Sequence, residues 1–254
     1  MPKTREILDL NFFSNDRDSL LNLLSKNLST SKTVVLTPNP EILLLSENNS
    51  NLRNCLLTAD VNLLDGVGIQ LAQFILRKKL APRHPGRLVL EDLLRVSEKN
   101  GLKVFFLGSN DKVLSDLRKK LGKSHPGLDC EFSSGSILNN DGLPSGAIEE
   151  KKQNEAIQKI NKFAPHFIFV AFGAPKQELW VKANRERVNA KVFMVVGGSL
   201  DYLSGNTIQV PDFVSKIGLE WLVRLIGQPR RVVRIVNATV VFLSKVIYIR
   251  LRQP

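Results

Sequence analysis

The chain is poor in the residues that build metal centres and disulfide frameworks. It has two cysteines, Cys55 and Cys130, far apart and without metal-ligand spacing. No disulfide framework follows, and a reducing cytosol fits. Three histidines, His84, His125 and His166, are scattered, so neither a metal site nor a catalytic triad is expected. The sequence has neither a full GxGxxG nor a GxxxxGK[ST]. Nicotinamide cofactors and P-loop chemistry therefore gain little support. Long apolar runs are missing as well. The opening Met1-Pro2-Lys3-Thr4-Arg5-Glu6 has no apolar core, so no signal peptide is expected. There is no internal repeat and no low-complexity linker.

What remains is ordinary in bulk and unusual in charge. The 254 residues are 43% hydrophobic and 24% charged, enough for one sizeable α/β domain or two small ones. This excludes a disordered chain, a collagen-like chain and a polytopic membrane protein. The net charge of +12 points to an anionic partner: nucleic acid, acidic lipid or a phosphorylated substrate. After Glu220 no acid occurs, while Arg224, Arg230, Arg231, Arg234, Lys245, Arg250 and Arg252 follow. Arg234 and Lys245 leave only Ile235–Ser244 uncharged, too short for the about 20 residues of a membrane span. On a helical wheel, Arg230, Arg234, Asn237, Val241, Lys245, Tyr248 and Arg252 share one side. Val232, Val236, Val240, Leu243, Val246 and Ile247 share the other, with Arg250 as the exception. Such a helix suits an anionic interface; the alternative is a helix docked on its own domain.

The body alternates strand-like and helix-like segments. Lys32–Thr37, Val61–Leu64, Lys103–Leu107, His166–Ala171 and Val192–Val196 read as strands, most of them continuously apolar. Helical spacing follows each of them. The pattern predicts an α/β, Rossmann-like, mostly parallel sheet with helices on both faces over 1–218. A basic amphipathic helical appendage is expected over 219–254. Four strands run into glycine and then a helix start, which favours a nucleotide or phosphosugar cleft at the strand ends. Ser133–Ser145, with Asn139-Asn140-Asp141-Gly142, reads as a surface turn because it lacks the spaced carboxylates of a calcium loop.

The polar residues at those ends are the candidates. Thr37 and Asn39 would present a hydroxyl and an amide, while Asn39 and Pro40 also suit a helix cap. Asp65, before Gly66-Val67-Gly68, suits either a general base or a helix cap. In Lys176-Gln177-Glu178 the helix dipole explains Glu178, and Gln177 is read as a ligand contact. Asp16-Arg17-Asp18 has the form of a metal-binding Asp-x-Asp, but it opens a helix with no strand before it and is read as first-turn acids.

From about Thr33 to Arg234 the chain resembles the WecG/TagA/CpsF glycosyltransferases. The residues that carry this are TPNPE at 37–41, ADVNLLDGVGI at 59–69, Arg83 with Gly86, VAFGAPKQELW at 170–180, VGGSLDYLSG at 196–205 and GLEWLVRLIGQPRRVVR at 218–234. The last segment is close to the pattern of the family's TagA branch. The resemblance implies a metal-independent, inverting transfer from a UDP-sugar donor, N-acetylmannosamine foremost, without a cofactor. It implies an undecaprenyl-diphosphate-linked GlcNAc acceptor at the inner face of the plasma membrane, in teichoic acid or cell-surface polysaccharide synthesis. It further implies Asp65 as base, with Thr37, Asn39 and Gln177 lining the pocket and Asp201 near the uracil. Arg224, Arg231 and Arg234 would reach the diphosphate, and Arg83, Gly108, Gly173 and Gly198 would complete the substrate site.

Two positions depart from the family pattern: Gln209-Val210-Pro211 where Arg-Ala-Pro is frequent, and Leu88 where an aspartate is frequent. Both remove charge from regions that could touch substrate, and the donor sugar stays open. UDP-glucose and UDP-N-acetylmannosaminuronic acid are alternative donors. A non-catalytic basic protein on acidic lipid or nucleic acid is the competing class, although nucleic acid is disfavoured because the tail interleaves Arg with Val and Ile rather than with stacking residues. A homo-oligomer is left open.

Overall fold

The computed structural model describes residues 10–29, 32–76, 80–207 and 229–252, with the backbone alone at 229–232. Gln209-Val210-Pro211 and Arg224 lie outside the described residues, as does the side chain of Arg231. The strands are β1 (Thr33–Leu36), β2 (Val61–Asn62), β3 (Val104–Gly108), β4 (Cys130–Ser133), β5 (Phe167–Ala171) and β6 (Val192–Val195). They form one sheet in the order β2-β1-β6-β5-β3-β4, and every pairing is parallel. The expected α/β fold with a parallel sheet is what the chain adopts.

The described helices are α1 (Arg17–Asn27), α2 (Pro40–Asn48), α3 (Ser50–Thr58), α4 (Val67–Ile75), α5 (Gly86–Asn100), α6 (Asp111–Ser124), α7 (Ala147–Phe163), α8 (Lys176–Asn184), α9 (Ser199–Ser204) and α10 (Pro229–Leu251). The central strands β1, β3, β5 and β6 are almost wholly apolar because both sheet faces are covered. In β3, Phe105 and Leu107 enter one core, with α2, α3, α4, α7 and α8. Val104 and Phe106 enter the other, with α1, α5, α6 and α9. In that second core the Phe106 ring packs on Phe132 and Phe169, at centroid distances of 5.0 and 5.7 Å.

This division of helices opens the site. The chain leaves β1 and β5 towards the first layer and leaves β6 and β3 towards the second. Since β1, β6, β5 and β3 are consecutive in the sheet, their connections part in alternate directions above its carboxyl edge. Such divergence is where open α/β sheets bind ligands.

Helix α10 lies along α2 and α4. Phe242 and Val246, 1% and 0% exposed, complete the first core. Arg234 pairs with Glu41 of α2 at 2.9 Å, and Lys245 with Glu47. The docked arc therefore runs through Phe242 and Val246. Val240, Ile247 and Leu251 stay exposed, at 61%, 46% and 80%. The cationic face predicted to be open is partly tethered to the domain's own acids. Among the described residues, no helix is long and apolar enough to cross a membrane.

Candidate active site

A cavity of about 880 Å³ occupies the carboxyl edge of the sheet. Most of its walls begin where a strand stops. After β1, the Thr37 hydroxyl donates to the Val195 carbonyl at 3.4 Å, tying the turn to β6. Asn39 Oδ1 accepts from the Ile42 amide at 3.0 Å and caps α2, while Asn39 still lines the cavity. Cap and ligand-facing residue coincide there. After β2, the N-cap of α4 is Gly66, so half-buried Asp65 stands one residue outside the cap position. Gly86 opens α5 beside it. A β-carbon at Gly86 would come within 2.9 Å of the Thr37 methyl and 3.8 Å of Asp65 Oδ2. Glycine there lets the start of α5 close against Thr37.

After β3 the wall is Ser109 and Asn110, and Asn110 caps α6 by accepting from the Val113 amide. After β5 it is Phe172, Gly173 and Ala174, and after β6 Gly197, Gly198 and Ser199, with Asp201 in α9. The cap positions before α5 and α8 are Pro85 and Pro175, which provide no side-chain cap. The first turns of both helices face the cavity with the positive end of the helix dipole, a setting suited to phosphate oxygens. Arg234 enters from α10.

Gln177 and Glu178 carry the site's strongest electrostatic perturbation. Gln177 Oε1 accepts from the Gly197 amide at 3.1 Å, and Gln177 Nε2 donates to Glu178 Oε1 at 3.0 Å. Glu178 is 2% exposed, not an open first-turn acid. Burial pushes its carboxyl up from the ordinary 4.5 to about 7, against the pull of the Gln177 hydrogen bond. The native state therefore holds a proton between pH 4.5 and 7 that the unfolded chain has released. Stability falls as pH rises through that window. Relative to Glu178→Gln, the wild type should lose about 3 kcal/mol between pH 4.5 and 7 and no more above it. Urea denaturation of both proteins across that range measures the difference; parallel curves would mean that Glu178 titrates normally.

Of the residues singled out in the sequence, Thr37, Asn39, Asp65, Gly173, Gln177, Gly198, Asp201 and Arg234 line this one cavity. Arg83 and Gly108 do not. Gly108 has φ +96°, and a β-carbon there would meet Ala171 at 2.8 Å, so its role is the close approach of β3 to β5. Arg224 and the Arg231 side chain lie outside the described residues.

Arg87 lines the cavity without having been singled out. It bonds Glu91 at 2.7 Å and lies 4.4 Å above the Tyr202 ring, 4% exposed, clamping α5 to α9. Its one signal in the sequence was its place directly after Gly86. Asp16 accepts from the Ser19 amide at 2.7 Å as the cap of α1, which accounts for the Asp-x-Asp pattern. Among the described residues, no group of three or more His, Cys, Asp or Glu is placed to hold a metal ion. Burial raises both thiols to about 11, leaving them poor nucleophiles at neutral pH.

A model of the glycosyl transferase WecG/TagA/CpsF family matches residues 5–254. A Staphylococcus aureus (strain MRSA252) protein named N-acetylglucosaminyldiphosphoundecaprenol N-acetyl-beta-D-mannosaminyltransferase is 28% identical over 220 residues, covering 87% of this chain and 82% of its own length. Its namesakes from strains MW2 and NCTC 8325 / PS 47 are 27% identical over the same shares of both chains.

Proposed function

The chain belongs to the WecG/TagA/CpsF glycosyltransferase family, and we propose that it transfers N-acetylmannosamine from a UDP donor to GlcNAc carried on undecaprenyl diphosphate. The observation that carries this reading is the gathering of Thr37, Asn39, Asp65, Gln177, Asp201 and Arg234 around one cavity. Asp65 takes the proton of the acceptor hydroxyl as its oxygen attacks the anomeric carbon. The bond from that carbon to the UDP oxygen breaks on the opposite face, which inverts the centre. The leaving diphosphate is met by the first turns of α5 and α8 and by Arg234, so no cation is needed.

The acceptor's lipid requires work at a bilayer, and α10 supports attachment to an anionic surface. It carries exposed Val240, Ile247 and Leu251, and α4 beside it carries Phe74, 71% exposed. Arg250 in the last turn of α10 and Arg252 just beyond it add positive charge. The enzyme then works as a peripheral protein on the inner face of the plasma membrane.

A short lipid-diphosphate-GlcNAc acceptor offered with UDP-N-acetylmannosamine, UDP-glucose and UDP-N-acetylmannosaminuronic acid, in excess EDTA, tests the reading by product mass. Transfer of N-acetylmannosamine alone, undiminished by EDTA, is expected. Transfer of another sugar overturns the donor assignment. Activity lost in EDTA and restored by magnesium or manganese overturns metal independence.

A further inference from the structure

Among the described residues, Glu178 is the one fully buried carboxylate, and the transfer chemistry makes no use of it. Its Oε1 receives Gln177 Nε2. Its Oε2 is buried with no hydrogen-bond partner. Leaving such an atom in the interior is costly. A methionine of similar length would fill the same space without that cost, so the acid at this position points to a task.

The task is legible in the hydrogen-bond polarity. The two ends of a glutamine amide have nearly the same shape, and only their partners decide which way the group points. The Gly197 amide can only donate, so it demands Gln177 Oε1. Ionised or protonated, the Glu178 carboxyl keeps an oxygen that accepts, and that oxygen, Oε1, takes Gln177 Nε2. Both contacts select one orientation. Gly197 sits at φ +50° in the turn that delivers Gly198, Ser199 and Asp201 to the cavity. A β-carbon at Gly197 would lie 3.9 Å from Gln177 Nε2, in ordinary van der Waals contact.

We infer that Glu178 is a positioning residue: it locks the amide of Gln177, and through it the turn at Gly197 that forms the β6 wall of the cavity. The inference rests on reading this cavity as the UDP-sugar site. The raised pKa of Glu178 agrees with an acid retained in the interior at a cost in stability.

The test compares the full-length wild type with Glu178→Met and Glu178→Gln. It measures UDP affinity by calorimetry, donor KM and kcat, and the thermal midpoint. Glu178→Gln keeps an acceptor for Gln177 and should stay within about 3-fold of wild type in UDP affinity and donor KM. Glu178→Met removes the acceptor. It should raise donor KM and weaken UDP binding by about 10-fold, with a smaller change in kcat and a thermal midpoint that holds or rises. That combination separates positioning from a purely structural role, which would lower the midpoint and leave UDP binding by the folded fraction intact.

Wild-type UDP affinity and KM in Glu178→Met would overturn the inference. If Glu178→Met does not fold, the Gly197 amide resonance in 15N-labelled wild type and Glu178→Gln decides. The same hydrogen-bonded shift and slow exchange in both supports the lock. A Gly197 amide exchanging at the rate of an open turn in the wild type overturns it. A wild type that binds no UDP refutes the donor-site reading itself, whatever the variants do.

Discussion

Replacing Asp65 by asparagine is expected to lower turnover by about 100-fold or more while leaving UDP binding and the fold nearly unchanged. The substitution keeps the shape of the side chain and removes its ability to take a proton. Asp65 is half-buried and stands outside the cap position of α4. A cap variant would lower the unfolding midpoint by an amount worth about 1 kcal/mol and leave the rate alone. A base variant does the opposite. Turnover on a short acceptor, UDP calorimetry and a thermal scan on the same preparation separate the two. Near-wild-type turnover in Asp65→Asn would show that the proton leaves by another group.

Much of the sheet was legible because its strands are buried on both faces. KTVVLT, KVFFL, HFIFVA and VFMVV leave no reading but interior strands, and β1, β3, β5 and β6 are formed from them. The turns that follow were legible for a related reason. A strand that stops at glycine or proline before a helix has to turn at the sheet's carboxyl edge, and those turns line the cavity. β4 carries little strand signal because Cys130-Glu131-Phe132-Ser133 forms the sheet edge and buries only Phe132. Its apolar signal is one residue long.

The contacts between side chains were not legible. Gln177 was recognised as a residue that capping does not explain. That its oxygen would meet Gly197 depends on β5 and β6 being neighbours, and that its nitrogen would meet Glu178 depends on the burial of that acid. Glutamate in a first helical turn is ordinarily exposed to solvent near the dipole. Here α8 turns that residue inward against α3, where the Cys55 thiol donates to the Glu178 carbonyl at 3.7 Å. Arg87 belongs to the same class, since its partner ring is on α9, far along the chain.

The tail shows the limit of a helical wheel, and it carries the other large expected effect. A wheel divides apolar from charged residues, but it cannot say which part of the apolar arc meets the protein. In α10 the protein takes Phe242 and Val246 and leaves Val240, Ile247 and Leu251 uncovered. The two arcs should therefore respond differently to substitution. Phe242→Ala opens a cavity beneath the helix and should destabilise the protein by about 3–5 kcal/mol. Because α10 carries Arg234 to the cavity wall, transfer should fall on soluble and membrane-borne acceptors alike.

Ile247→Asp changes only the exposed arc. It should leave the unfolding midpoint within the range of ordinary surface substitutions, about 0.5 kcal/mol. It should weaken binding to vesicles of anionic lipid, and transfer to a long-chain acceptor in those vesicles should drop while transfer to a short soluble acceptor persists. Attachment should also weaken with salt, though less steeply than a fully open cationic face would require, since Arg234 and Lys245 are already paired with Glu41 and Glu47. Flotation with vesicles and urea denaturation, run on both variants, read the two effects separately. If Ile247→Asp binds vesicles as the wild type does, the exposed arc of α10 is not the membrane face. If Phe242→Ala unfolds at the wild-type urea concentration, the helix is not part of the core.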